Sequence, residues 1–445
     1  MLRLENVSFI DSLAKNISKN KPKKVAIVRI RRHFLALLSA ISTYYKLSTL
    51  YYLVMKYIAI TGRSSPLSVA ELESVFGSQN ILPVSDDAVI FNAHEVMQKA
   101  EHLGGTIKIA KILTQLPNNN WNYIVDYLMK NVPLYLGFVP PGKLTIGFSV
   151  YGINVSPAKI NATALGLKKL AKDYGRSVRI VPNKESSLNS AQVLHNKLTG
   201  EKGWEIIFVA TKSGQTILAQ TIHEQDIDSY ASRDQQRPFR DARVGMLPPK
   251  LAQTIINLSG AQTGQTLLDP FCGTGVLLQE ALIMGINIIG TDIESRMIEY
   301  SEKNLLWLEN SPRININAKY NLKTADATDI KITSDIDSVA CETYLGRALT
   351  QLPDEQALYK IIQDCDTIHK KFLQNVASQT KNGFRMCLAV PAWSTKRGFR
   401  HLPALDHLKE LGYNRISFVH VDTKDLIYHR SNQTVARELV VLERI

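Results

Sequence analysis

The sequence predicts an α/β chain: a doubly wound sheet fills the C-terminal part, and two smaller α+β units precede it. Three observations carry this. From residue 265 onward, short apolar runs alternate with longer stretches of helical period, the pattern of a mostly parallel sheet with helices on both faces. One run, Thr266 to Leu268, leads through Asp269-Pro270-Phe271-Cys272-Gly273-Thr274-Gly275 straight into the helical stretch Val276 to Met284, so a glycine turn sits at a strand tip. Between residues 56 and 221 the same alternation recurs in shorter elements, with a hairpin signal at Lys212-Ser213-Gly214.

A chain of 445 residues suggests two or three domains. Its hydrophobic share of 45% and charged share of 21% are those of a globular protein. The four cysteines, Cys272, Cys341, Cys365 and Cys387, form no C-x-x-C pair and have no histidine at metal-ligand spacing. Reduced thiols, no metal and a cytoplasmic location are expected. The net charge of +13 is unevenly spread. Residues 1–54 hold ten Lys/Arg against two acids, a net of +8, so the rest of the chain carries +5. We read this basic, partly apolar stretch as a dispensable upstream extension, with Met55 as the functional start. A transit peptide or a membrane anchor are the other readings.

Residues 55–115 read as a ferredoxin-like unit. Strands at 56–61, 88–91 and 106–113 enclose helices at 68–76 and 94–102, and Ser68-Val-Ala-Glu71 has the spacing of a capping box. Residues 116–225 form a second unit. Its helices are 121–130, 162–174 and 190–198, and its strands are 144–151, 177–181, 204–211 and 215–221. Residues 151–200 carry eight Lys/Arg against two acids, a local excess that suits nucleic acid. Residues 226–246 form a charged linker, and Pro248-Pro249 opens the next helix.

The doubly wound domain spans 247–445. Strands fall at 265–269, 287–292, 320–324, 336–341 and 384–390, with helices at 275–284, 296–308, 355–378 and 404–411. The final strands near 414–421 and 434–442 form an antiparallel pair. On the helix 296–308, Ile298, Ser301, Leu305 and Leu308 share one face and read as core alone. Three strand tips carry acids. Asp269 beside the glycine turn suits a cationic amino-acid head group. Asp292, at the end of the next strand, is placed for ribose hydroxyls, and Asp326 for an exocyclic adenine amine. Together with the backbone at Gly273 and Gly275, they describe a pocket for S-adenosylmethionine.

The stretch 267–275 resembles the first motif of Rossmann-like methyltransferases, in the form found in RNA guanine-N2 methyltransferases. The resemblance implies that Phe271, Cys272, Ile293 and Ala327 also line the cofactor site and that Pro249 closes one side of it. Ser177-Val-Arg-Ile180, Leu188-Asn-Ser-Ala191 and His195-Asn-Lys-Leu198 resemble the THUMP domain. This makes Arg176, Arg179, Lys184 and Lys197 candidate phosphate contacts, with Lys168 and Lys169 on the exposed face of their helix. The whole order, including Leu103-Gly-Gly-Thr-Ile-Lys108, resembles the tRNA guanine-10 N2-methyltransferases.

That family's fourth motif is Asp/Asn-Pro-Pro-Tyr/Phe, where the acid holds the target amine and the aromatic stacks on the base. Here the corresponding strand ends in Cys341-Glu342-Thr343-Tyr344-Leu345. Glu342 takes the acid's place, Thr343-Tyr344 replaces Pro-Pro, and Tyr344 is the candidate ring. Val390-Pro-Ala-Trp393 is a candidate wall over the base, and Arg437-Glu438 reads as a structural pair. The resemblance implies methylation of a guanosine N2 amine in tRNA, position 10 favoured, by a monomer or weak oligomer without membrane contact. It leaves open another tRNA position, rRNA, a binding-only protein that keeps its pocket, and the need for a small activating subunit.

Overall fold

The computed structural model describes residues 56–445, apart from 94–95, 242–245, 313, 315, 350 and 431–432. The basic stretch 1–54 lies outside the described residues, as do the first two residues of the helix expected at 94–102.

β1 (Lys56–Thr61), α1 (Ser65–Phe76), β2 (Ile81–Pro83), β3 (Ala88–Asn92), α2 (Val96–Ala100) and β4 (Thr106–Leu116) come first. There follow α3 (Trp121–Tyr135), β5 (Leu144–Tyr151), α4 (Pro157–Asp173), β6 (Val178–Ile180), α5 (Ser190–His195), β7 (Gly203–Ala210) and β8 (Thr216–Glu224). Their strands join in one eight-stranded sheet of order β2-β3-β1-β4-β8-β7-β5-β6. The eleven-residue β4 is the seam, antiparallel to β1 on one side and to β8 on the other. The boundary expected at 115/116 thus falls at the end of a strand that belongs to both units. Lys108 is buried in the seam, its ammonium ion-paired with Glu205 and 3.5 Å from Glu224.

The capping-box reading of Ser68 and Glu71 is overturned. α1 starts one turn earlier, at Ser65 with Pro66 behind it, so both residues lie inside the helix and are buried. Ser68 Oγ donates to Gly105 O (2.7 Å), while Glu71 accepts from the N–H groups of Gly104 (2.9 Å) and Gly105 (2.7 Å). The serine–acid spacing serves a docking contact, because three residues along a helix also means one face.

α6 (Ile227–Gln235), a helix the linker reading did not include, is capped by Asp226, which accepts from Asp228 N–H and Ser229 N–H. Next come α7 (Pro249–Ser259), β9 (Thr266–Asp269), α8 (Val276–Ile283), β10 (Asn287–Asp292), α9 (Ser295–Glu309), β11 (Tyr320–Thr324), β12 (Ser338–Glu342) and α10 (Glu355–Ala377). β13 (Arg385–Thr395), β14 (Gly398–Arg400), β15 (Tyr413–Arg415), β16 (Ile427–Tyr428) and β17 (Val435–Arg444) end the chain. The main path of this nine-stranded sheet is β11-β10-β9-β12-β13-β17-β15. The first five strands are parallel, and β17 is antiparallel to β13 and β15.

Both faces are covered, as the strand period of two requires. Leu267, Ala340, Cys387 and Val441 pack under α7 and α8. Their chain neighbours Leu268, Val339, Leu388 and Leu442 pack under α10. Two expectations fail near the end. The helix at 404–411 is only a 3-10 turn, Pro403–His407, because the run between Pro403 and the left-handed Gly412 is too short to propagate. The strand at 414–421 stops at Arg415. Its continuation leaves the sheet for α1, where Val419 N–H and His420 N–H donate to Glu73.

Candidate active site

The chain order reverses between β9 and β12, so a crevice opens at the C-terminal ends of these two strands. Asp269 ends β9 and Glu342 ends β12. The glycine turn rises beside them. Gly273 and Gly275 have φ of +53° and +80°, for different reasons. A Cβ on Gly275 would lie 2.8 Å from Ser301 Oγ, whereas one on Gly273 would meet nothing nearer than 4.0 Å. The backbone at Gly273 therefore faces open space, which lets a ligand approach closely.

Four hydrogen bonds fix the loop. Cys272 N–H donates to Thr291 O (2.9 Å), Gly273 N–H to Asp292 Oδ2 (2.9 Å), Ser301 Oγ–H to Gly273 O (2.9 Å), and Asn304 Nδ2 to Thr274 O (2.8 Å). Asn304 also exchanges hydrogen bonds with the backbone of Phe239 in the linker. The core-only reading of the 296–308 face is thus corrected, since Ser301 and Asn304 of α9 hold the loop. The available signal was polar residues at Ser301 and Asn304 on a face with Leu305 and Leu308.

The expected cofactor residues gather around this loop. Asp269 is buried, accepts Phe271 N–H at 3.1 Å, and has no cationic partner among the described residues. Burial pushes its carboxyl well above the usual range; the Phe271 N–H opposes this, and the charges of Asp292 and Glu342 add to it. Burial also raises Asp292, whose other oxygen accepts Glu294 N–H. An uncompensated buried carboxylate beside two more acids fits a cationic ligand head. Asp326 is half-buried and accepts the N–H and hydroxyl of Thr328, both at 2.8 Å. Ala327 and Cys272 are buried, and Phe271 packs edge-on against Phe372 at 5.2 Å. Ile293, directly after Asp292, is 67% exposed and presents apolar surface at the β10 tip. Pro249 is buried in the first turn of α7.

At the β12 tip, Glu342 is paired with Arg437 of β17. Burial pushes Glu342 up and the guanidinium pulls it back down. Arg437 and Glu438 do not pair with each other. Neighbours on a strand face opposite ways, and Glu438 binds Arg415 (2.8 Å) and His401 instead. Thr343 does not present its hydroxyl to the crevice. The side chain is buried, 2.6 Å from His369 Nε2. His369 Nδ1 faces Cys365 O at 2.7 Å and must carry the ring proton, so Thr343 donates to Nε2. Tyr344 is 42% exposed, as a stacking ring requires. Trp393 is fully buried in the α10-side core, which removes the expected wall at 390–393. Pro391 fits there because β13 outruns β12 after Ala389 and needs no N–H on that edge.

The six basic candidates lie elsewhere. Lys168, Lys169, Arg179, Lys184 and Lys197 are exposed and Arg176 is half-buried. Arg176 donates to Pro140 O and Arg179 to Asn196 Oδ1, next to Lys197.

Residues 236–400 match the UPF0020 family, described as an RMKL-like methyltransferase domain. This stretch is a methyltransferase domain. It is similar to two proteins named tRNA (guanine(10)-N2)-dimethyltransferase. The one from Methanothermobacter thermautotrophicus is 28% identical over 196 residues, 44% of this chain and 53% of that protein. The one from Pyrococcus abyssi is 28% identical over 211 residues, 47% of this chain and 52% of that protein. The chain spans about half the length of these curated relatives. Among solved structures, TrmN from Thermus thermophilus is 16% identical with a TM-score of 0.49, covering 88% of this chain and 100% of that one. Among the described residues, no helix is long and apolar enough to cross a membrane.

Proposed function

We propose that this protein is an S-adenosylmethionine-dependent RNA methyltransferase acting on the N2 amine of a guanosine in tRNA, with position 10 favoured. The observation that carries this is the crevice itself: a buried, unpaired Asp269 and the open Gly273 backbone at one strand tip, with the half-buried acid Glu342 at the adjacent tip. The family match at 236–400 and the names of the relatives support it.

In this reading Asp269 and the Gly273 backbone hold the cationic end of the cofactor. Asp292 accepts from its ribose, Asp326 from its adenine amine, and Ile293 lies against the ring. The cofactor supplies an electrophilic methyl group. Glu342 accepts a hydrogen bond from the target amine, and Arg437, whose charge opposes the upward push of burial, holds its carboxylate in place. Tyr344 stacks on a flipped-out base, which offsets part of the few kcal/mol that flipping costs. The exposed basic residues between 168 and 197 grip RNA phosphates away from the pocket. Any small activating subunit would bind a further surface.

The experiment is label transfer from S-adenosylmethionine to an unmodified tRNA transcript, followed by nucleoside analysis. Labelled N2-methylguanosine that disappears when the guanosine at position 10 is replaced is the expected result. Label that survives the replacement moves the target within tRNA. Cofactor binding with no label on tRNA or rRNA overturns the reading and favours a binding-only protein, in which the Arg437 pair neutralises Glu342.

A further inference from the structure

A second concavity, about 520 Å³, lies outside the crevice. The start of α1, the Gly104-Gly105 loop, α6, the start of α7 and the residues around Tyr428 enclose it. Its size is that of a ligand pocket, in the range of about 300–1,000 Å³. Three cations line it: Arg63, Lys250 and Arg430. None of the three forms an ion pair with an acid among the described residues. Lys250 Nζ donates to the neutral Gln225 amide oxygen, and Arg430 Nε donates to the Tyr428 hydroxyl at 3.0 Å. Arg63 and Arg430 are exposed. The acid in the wall, Asp234, is 3.9 Å from Arg237 and so already has a cationic neighbour. Burial pulls the Lys250 ammonium below its usual range, offset only in part by the charge of Glu224, which also faces Lys108 at 3.5 Å; an anion in the cleft would relieve the remaining cost. The lining is thus cationic beyond what the protein itself neutralises.

Its position says which anion. Tyr428 of β16 is the cross-strand partner of Arg437 in β17, so the two side chains leave the same face of the sheet. Arg437 holds Glu342 at the reacting end of the crevice. The cleft therefore begins one cross-strand pair away from the place where a target base would sit. A strand of RNA that delivers one base to Glu342 carries its flanking phosphates toward Tyr428 and Arg430.

We propose that this cleft seats the phosphodiester backbone of nucleotides flanking the target base, with Arg63 and Arg430 as phosphate contacts and Tyr428 as a stacking or sugar-packing ring. This rests on the RNA reading above but assigns a site separate from the basic residues between 168 and 197.

The test compares wild-type full chain with Arg63→Ala/Arg430→Ala and Arg63→Lys/Arg430→Lys, measuring tRNA-transcript affinity against salt. Neither arginine belongs to the cofactor or amine site. Loss of two phosphate contacts lowers the slope of log affinity against log salt by about 1.5. S-adenosylmethionine affinity and the melting midpoint should stay at wild-type values, and the Lys pair should restore the slope. An unchanged slope in the Ala pair, or a loss that Lys does not restore, overturns the proposal. The two readings also fail separately. Slope loss in a protein that methylates no RNA sinks the enzymatic reading and leaves the cleft standing; methylated tRNA with an unchanged slope does the reverse.

Discussion

Glu342 is asked to do two things, and substitution separates them. It is half of a buried ion pair with Arg437, whose side chain is 3% exposed against 13% for Glu342. Glu342→Gln leaves the guanidinium buried without its counter-ion, which costs about 3–5 kcal/mol of stability. Removing the second charge as well, in Glu342→Gln/Arg437→Met, returns most of that loss, because replacing both members of a buried pair is often close to neutral. Catalysis should not recover with stability. A donor or acceptor aimed at the reacting group contributes about 10²–10³ in rate, and the double variant still lacks the carboxylate. The assay pairs urea unfolding with single-turnover label transfer to tRNA. We expect the single variant to be unstable and inactive, and the double variant to be stable and inactive. A double variant that folds normally and transfers label within about threefold of wild type would refute Glu342 as the amine acceptor.

Further outcomes follow from the same geometry. Asp269→Asn should weaken S-adenosylmethionine binding by about 1.5–3 kcal/mol, read by calorimetry. Because burial raises Asp269 and only its ionised form attracts the cationic amino-acid head of the cofactor, wild-type affinity should climb with pH toward the raised pKa, and the Asn variant should lose that slope. Gly275→Ala should cost about 1–3 kcal/mol in a melt through its +80° φ and its clash with Ser301, while Gly273→Ala should chiefly lower cofactor affinity; the opposite pattern would sink the assignment of open space to Gly273. Burial holds the His369 imidazole down to about 4, against 6.5 in an unfolded chain. The unfolded state therefore binds the extra proton between these values, and stability should fall by about 3 kcal/mol as pH drops through that window. In His369→Gln, urea titrations should show this component removed. Glu71→Ala strands the Gly104 N–H and the Gly105 N–H and takes one of the two acceptors from the Asn257 amide, and should lower stability by about 3–5 kcal/mol.

Local signals carried the doubly wound domain into the sequence. Alternating apolar runs placed the start of each parallel strand within two residues, although β13 runs on to Thr395, five residues past its expected end, and the glycine turn marked the crevice. Signals with two physical uses misled. Ser68-x-x-Glu71 fits a capping box and also fits a docking face, and only the position of Gly104 and Gly105 distinguishes them. Trp393 follows an apolar strand in the sequence, but β13 continues through it and buries it. Arg437 and Glu438 look like a pair because they are adjacent, yet adjacency on a strand is what keeps them apart. Glu342–Arg437 and Thr343–His369 were illegible for a different reason. Each joins residues from elements far apart in sequence, and no spacing rule reaches that far.

The same long-range logic explains how the eight-stranded sheet is held to the crevice of the nine-stranded one. α7 is the common part. Pro249 starts it beside the linker, Lys250 faces the cleft, and Asn257 in its last turn donates to Glu71 (2.7 Å) and His102 O (2.7 Å). Arg385, at the start of β13, donates to Leu258 O (3.0 Å) and to Ser74 Oγ (2.9 Å), so α1 is tied to the catalytic sheet through the end of the same helix. Gly104 sits against α7 with no room for a side chain, since a Cβ there would lie 1.9 Å from Lys250 O. These contacts are polar and buried or part-buried, so they resist sliding more than an apolar interface would: a shift of one residue breaks the Glu71–Asn257 bond. The distance between the cleft and Glu342 is then fixed by α7 and β17 rather than by the loops between domains. If both proposed sites hold RNA, the RNA itself must deform to reach them, and that requirement would select one base among many.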